Sequence, residues 1–221
     1  EIYMGDWSSD VCSSDLTRNF FAALDLTTGR PTAFDARTNG SITTITPVGS
    51  TIVVTGGFNQ FLGAPRTTGA AFSVSTGQLT GFAPPFTTGS IYAAASDGQV
   101  LYVGGSFGGF SLESGRFIPR FNAAALSLAT GQVTGWNPTP DNEVRAMLFA
   151  NNQVYLGGFF DTVAGRARHS LASVTRQGRV TPWDPARDSD VVNVEAFSLS
   201  GTALYLAGAF SELAGTARAI W

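Results

Sequence analysis

The chain of 221 residues holds no lysine, one histidine (His169) and one cysteine (Cys12). A single thiol supplies neither a disulfide framework nor a thiolate metal site, so cysteine usage does not reveal the redox compartment. Charge is sparse as well: arginine provides all thirteen basic groups, against sixteen acidic ones. Near-neutral charge without a basic cluster argues against a nucleic-acid partner and against electrostatic attachment to a membrane. No apolar run approaches the ~18 residues of a membrane span, so no membrane insertion is expected. Helical periodicity is missing throughout. What is plentiful is Gly, Thr, Ala and Phe, in a chain long enough to bury a sizeable core. The composition is that of a soluble all-β protein.

The first sixteen residues, EIYMGDWSSDVCSSDL, have no counterpart elsewhere in the chain. Asp6 to Leu16 match, without a mismatch, one frame of a common sequencing adapter, and the segment is set aside as a non-native, adapter-derived stretch. Its removal takes away Cys12 and the acids Glu1, Asp6, Asp10 and Asp15, leaving twelve acidic groups against thirteen arginines, a net charge of about +1.

From Thr17 onwards one pattern recurs about every fifty residues. Arginines fall at Arg18, Arg66, Arg120, Arg168 and Arg218, separated by 48, 54, 48 and 50. A Gly closes a turn at Gly29, Gly77, Gly131 and Gly178, and an aromatic follows five residues later at Phe34, Phe82, Trp136 and Trp183. A period of this length marks a stacked or radial repeat architecture. The repeats run at about 17–66, 67–120, 121–170 and 171–221.

Each repeat holds four short strand candidates, in the third Asn122–Leu128, Gln132–Trp136, Val144–Ala150 and Gln153–Gly158. Asp97-Gly98 and Asn151-Asn152 suit a tight hairpin between the last two. Val144, Ala146 and Leu148 alternate as a half-buried strand does. Four antiparallel strands per unit, repeated radially, is the pattern of a β-propeller blade. Blades phased from the innermost strand span Ile42–Phe82, Ile91–Trp136 and Val144–Trp183, with half-blades at Asn19–Phe34 and Val191–Gly208. The expected fold is therefore all-β, a β-propeller of four-stranded blades in an incomplete ring, cut from a larger one at both ends.

The strings YLGGFFDTVAGRARHSLASV (Tyr155–Val174), RVTPWDP (Arg179–Pro185), LYVGGSF (Leu101–Phe107) and AALSLATGQVTGWNP (Ala124–Pro138) resemble the repeat of bacterial delta-60-type β-propeller proteins. The resemblance covers the chain from Thr17. It implies a propeller of secreted or cell-surface bacterial proteins, often beside adhesion-like modules, with no assigned catalytic residues. Two departures stand out: Val54-Thr55 replaces the usual Tyr-Val or Tyr-Leu, and the second repeat carries extra residues around Gly108–Ser114.

Most recurrent residues have a scaffold explanation. The pairs Gly56-Gly57, Gly104-Gly105 and Gly157-Gly158, with Ala207-Gly208, follow strands but precede no helix, so they suit a bulge or close strand packing better than a phosphate cradle. The arginines suit a clamp on turns between blades, and the aromatic series suits the gaps between blades. His169 stands in a slot otherwise filled by Asn19, Thr67, Phe121 and Ala219, as an exposed loop position would. No catalytic or cofactor-binding residue is assigned. The remaining candidates for a polar ligand or a Ca²⁺ site are Asp141, Glu143, Asp188 and Asp190, near Asp184, in the loops entering the innermost strands. Turn formation by Asp and Asn is the competing account.

The expected function is a non-catalytic scaffold or binding module of a secreted or surface protein, with an unknown protein or glycan partner and no cofactor beyond that Ca²⁺ candidate. The alternative is the propeller part of a secreted enzyme, quinoprotein-like or carbohydrate-active. AALDLTTGRPTAF (Ala22–Phe34) resembles a quinoprotein docking motif, although its aromatic sits one residue late and no recurring Lys follows the Gly.

Overall fold

The computed structural model describes residues 19–187, 191–213, 216 and 217. The adapter-like segment therefore lies outside the described residues. Among them all regular structure is β, in three full blades flanked by two partial ones.

The first blade contains β1 (Ser41–Val48), β2 (Thr51–Gly57), the short hairpin β3 (Gln60–Phe61) and β4 (Ala64–Pro65), and β5 (Gly69–Ser73). The second contains β6 (Phe86–Ser96), β7 (Val100–Ser111), β8 (Phe117–Pro119) and β9 (Ala123–Ser127). The third contains β10 (Val144–Ala150), β11 (Gln153–Gly158), the hairpin β12 (Thr162–Val163) and β13 (Arg166–Ala167), and β14 (Leu171–Thr175). Beyond it stand β15 (Val191–Ser200), β16 (Ala203–Phe210) and the hairpin β17 (Glu212–Leu213) and β18 (Thr216–Ala217).

Each full blade is an antiparallel meander, β1-β2-β5, β6-β7-β9 and β10-β11-β14. The fourth, outermost strand is reduced to a single bridge: Phe72 to Leu79, Leu126 to Val133 and Val174 to Val180. It begins at the turn glycines, which adopt the left-handed conformation at Gly77, Gly131 and Gly178, and it ends ahead of Pro84, Pro138 and Pro182, which cannot donate to a ladder. The partial blade at Asn19–Phe34 keeps the same outer pair, with Leu24 bridged to Pro31. The expected hairpin at Asn151-Asn152 is present, with both residues at positive φ as a type I′ turn requires.

The blades are arranged radially. The first strands lie side by side, β1 on β6, β6 on β10 and β10 on β15. Four apolar clusters fill the joints between successive units. Phe34 stacks on Phe72 at 4.8 Å; Phe82 is fully buried among Val53, Ile91 and Leu101; Trp136 packs with Tyr102 and Val154; Trp183 packs with Ala186 and Val194. The aromatic series therefore sits between blades, where large rings remove the most surface from water. On β16, Tyr205 occupies the register position that Tyr155 has on β11. Tyr155 meets Trp183 edge-on, whereas Tyr205 is exposed.

In the pairs Gly104-Gly105 and Gly157-Gly158 the two glycines do different work. At Gly56, Gly105, Gly158 and Gly208 a Cβ would collide with the carbonyl of Ser41, Ser90, Glu143 and Asn193 respectively. At the same place the inner strand carries a β-bulge, so Thr43, Tyr92, Arg145 and Glu195 are the extra residues. The preceding glycines, Gly104 and Gly157, admit instead Val144 and Val194 of the next blade. Gly158→Ala is expected to destabilise the chain by about 3 kcal/mol or more, as overpacking at an immovable carbonyl does. Gly165→Ala, at φ +71° with open space around it, should cost only about 1–2 kcal/mol. Urea denaturation of the two variants checks the contrast.

Candidate functional site

The loops entering the inner strands carry the sequence-predicted acids. Asp141 lies three residues before Val144, and its Oδ1 accepts the N–H groups of Asp161 at 2.9 Å and Thr162 at 3.0 Å. Asn39, three before Ile42, accepts the N–H groups of Asn59 and Gln60 in the same way, at 3.1 and 3.0 Å. Thr88, three before Ile91, accepts Gly108 N–H at 3.2 Å. The shared job is to fasten the chain just after the bulge glycine. Burial works to raise the Asp141 pKa, but the Thr162 and Asp161 amides and the Thr162 hydroxyl outweigh it, and the carboxyl sits below its ordinary value.

Glu143 accepts a hydrogen bond from Arg145 at 3.0 Å. Arg145, one of the bulged residues, lies over the ring of Tyr92, the bulged residue of the preceding blade, at 4.3 Å. The hydrogen bond to Glu143, joined by the charges of Glu143 and Glu195, outweighs burial and raises the Arg145 pKa. Asp184 is nearly buried; its Oδ2 accepts from Arg168 at 3.1 Å and from Arg187 at 3.4 Å. Asp188 and Asp190 lie outside the described residues. Among the described residues no three His, Cys, Asp or Glu side chains gather as metal ligands would. His169 is half-exposed, with Nδ1 3.4 Å from Asp161 Oδ1.

Arg120 and Arg168 act inside a blade, not between blades as the repeat spacing suggested. Arg120 donates to the carbonyls of Pro119 at 2.8 Å and Thr134 at 2.7 Å. Arg168 donates to Ala167 and Thr181, each at 2.7 Å. Each thereby ties the loop ahead of the third strand to the outer strand of its own blade. Arg18 and Arg218 are outside the described residues.

Sequence reasoning missed the residues that do join blades. Two positions past Arg18, Arg66, Arg120 and Arg168 stands a non-glycine residue with positive φ: Phe20, Thr68, Asn122 and Ser170. The carbonyls of Thr68, Asn122 and Ser170 accept the N–H of Gly56, Gly105 and Gly158. Their side chains reach into the next blade: Thr68 Oγ1 accepts Thr87 N–H at 3.0 Å, Asn122 Nδ2 donates to Pro140 at 3.1 Å, and Ser170 Oγ donates to Val192 at 3.0 Å. The fixed spacing from Arg was the available signal, but a small polar residue in a loop announces no φ.

A charged clasp joins the second and third blades. Asp97, in the β6–β7 turn, accepts the N–H groups of Gln99 and Val100 at 2.9 and 2.8 Å, the hydroxyl of Tyr102 at 3.1 Å and the guanidinium of Arg176. Trp136 Nε1 donates to Thr175 at 3.0 Å across the same joint.

With this geometry in place, comparison with solved structures decides the architecture. The chain is similar to the computationally designed Ika4 protein, with TM-score 0.53 and 14% identity over 77% of this chain and 86% of that one. It is also similar to the designed Ika8 protein, with TM-score 0.55 and 15% identity over 86% of this chain, and to U3-55K, with TM-score 0.51 and 17% identity over 80%. The fold is a β-propeller. The chain spans about half the length of Ika8 and of U3-55K, 51% and 50%. No protein-family model matches it, and no curated protein matches it.

Burial works to raise the Asp97 pKa, but the Gln99 and Val100 amides and the Arg176 and Tyr102 contacts prevail, placing it below its ordinary 3.8. A depressed carboxylate pKa contributes stability that is full above the unfolded value and is lost as pH falls through the folded one. Asp97→Asn should therefore lower stability at neutral pH by about 2 kcal/mol and flatten the loss of stability expected of the parent chain below about pH 3.8. Denaturant titrations at pH 7 and between pH 4 and 2 test both parts.

Proposed function

We propose that this β-propeller is a non-catalytic scaffold and binding module of a secreted or cell-surface bacterial protein, engaging a protein or glycan through its loops. The observation that carries this reading is the use made of the recurring polar side chains. Arg120 and Arg168 hold carbonyls, Asn39, Thr88 and Asp141 hold amides, and Thr68, Asn122 and Ser170 latch the next blade. Such contacts recur because every blade needs them, whereas a ligand contacts only a few blades. The resemblance of Tyr155–Val174 and its companion strings to the delta-60-type repeat supplies the secreted bacterial setting. Fold alone does not choose a function.

The enzyme alternative rests on Ala22–Phe34. There Asp25 Oδ1 accepts the N–H groups of Thr27 at 3.0 Å and Thr28 at 2.7 Å and the Thr28 hydroxyl at 2.9 Å, the behaviour of a turn cap. The segment thus has a structural task that needs no cofactor, and the binding-module reading is preferred.

Recovery of the whole reading frame by long-read sequencing of the source sample tests the choice. The expected frame has an export signal, further repeats of this type and no catalytic domain. A catalytic domain in the same frame, or further blades carrying cofactor ligands, would support the enzyme reading.

A further inference from the structure

The second blade breaks the repeat in one place. Where the first and third blades turn back over Leu62-Gly63 and Ala164-Gly165, β7 runs on to Ser111 and returns through β8. The connecting loop is closed by Leu112 N–H to the Arg116 carbonyl and Gly115 N–H to the Leu112 carbonyl, each at 2.9 Å. This extension forms one wall of an open groove of about 1030 Å³, whose other wall is Arg66 and the segment Ala83–Phe86. Scaffold needs explain what all blades share; they do not explain this wall.

Three features of the groove point to one ligand chemistry. First, Phe86, Ser111 and Phe117 are in register across β6, β7 and β8. Directly paired residues share a face of the sheet, so Phe86 and Ser111 of the groove lining share their face with Phe117 beside the groove, whose ring leans over Gly109; the strands that carry the two rings are about 9.5 Å apart, two strand spacings. Both rings are exposed, Phe86 by 58% and Phe117 by 48%, unlike Phe82, which is buried in the blade joint. Second, Arg66 does not close as its counterparts do. Arg120 and Arg168 each donate to an outer-strand carbonyl, while among the described residues Arg66 donates only to Pro65, leaving donors uncommitted in the groove. Third, Arg116 is exposed and its guanidinium makes no hydrogen bond or ion pair among the described residues, so the groove carries two guanidinium groups against the single carboxylate of Glu113.

We propose that this groove binds an extended acidic glycan, a chain bearing uronate carboxylates. The proposal rests on the binding-module reading and names the ligand class. The Phe86 and Phe117 rings stack on sugar faces about a disaccharide apart, Ser111 bonds a hydroxyl between them, and Arg66 and Arg116 take the carboxylates, which guanidinium groups match in a planar fork. An acidic peptide is disfavoured because the two rings lie open on a sheet face, not in pockets that would hold side chains.

Titration calorimetry of the chain with a cellouronate hexamer, with cellohexaose and with an acidic hexapeptide containing proline and phenylalanine tests the assignment. Cellouronate is expected to bind at least tenfold tighter than cellohexaose and the peptide. Phe86→Ala and Phe117→Ala should each weaken cellouronate binding about tenfold, and Arg116→Ala should bring its affinity close to that of cellohexaose. Circular dichroism confirms the fold of each variant; should either phenylalanine variant unfold, exposed Arg116 alone carries the comparison. Absence of sugar binding, peptide binding tighter than cellouronate, or an unchanged affinity in Arg116→Ala overturns the proposal. These outcomes leave the binding-module reading standing, whereas a catalytic domain in the reading frame would remove that reading without altering the calorimetry.

Discussion

The three full blades and the β15–β16 unit each depend on one place where a main-chain carbonyl occupies the space a side chain would fill. Gly56, Gly105, Gly158 and Gly208 each lie against the carbonyl that precedes the bulge of the inner strand. The bulge turns one extra residue out of the ladder and increases the local twist. At three of these glycines the N–H is taken by the carbonyl of Thr68, Asn122 or Ser170, held at positive φ. That conformation sends the side chain of the same residue into the next blade. One glycine thus links the bend of a blade to the placement of its neighbour.

Around this link the joints are filled by contacts that differ in kind from blade to blade. Phenylalanine clusters fill the first joint, fully buried Phe82 the second, and Trp136 with the Asp97–Arg176 clasp the third. Stability in such an array is roughly a sum of unit and nearest-neighbour terms, so the joints can vary while the link stays the same. The loops are free to change for the same reason, and the longer β7–β8 extension is the place where they have done so.

Much of this was legible in the sequence, and the failures have physical causes. The fifty-residue period, the four-strand unit and the blade phasing follow from turn chemistry and alternation, which are local. The glycine pairs pointed to a bulge, but not to two roles, because Gly104 faces Val144 of another blade and Gly105 faces Ser90 of its own. Distance between blades is a tertiary quantity that spacing along the chain does not encode. For the same reason the pairs were aligned one residue out in the first repeat, where Gly56 holds the bulge and Thr55 stands at the register position of Gly104. The arginines were expected between blades, yet Arg120 and Arg168 bond carbonyls within their own. The acids of the inner-strand loops looked available in sequence; in space Asp141 holds two amides and Glu143 holds Arg145. The left-handed Thr68, Asn122 and Ser170 left only their fixed spacing from Arg, since their backbone conformation is imposed by the contacts they make.

The account stands most directly on the amides of Gly56, Gly105 and Gly158. Native-state hydrogen exchange, read residue by residue by NMR, measures how much of the structure must open to free them. These three amides are expected to exchange only through global unfolding, with the same protection as the central strand residues Val54, Val103 and Leu156. Exchange of any of them at the rate of the exposed loop tips, with the strands still protected, would contradict the claim that the blades hang on this link.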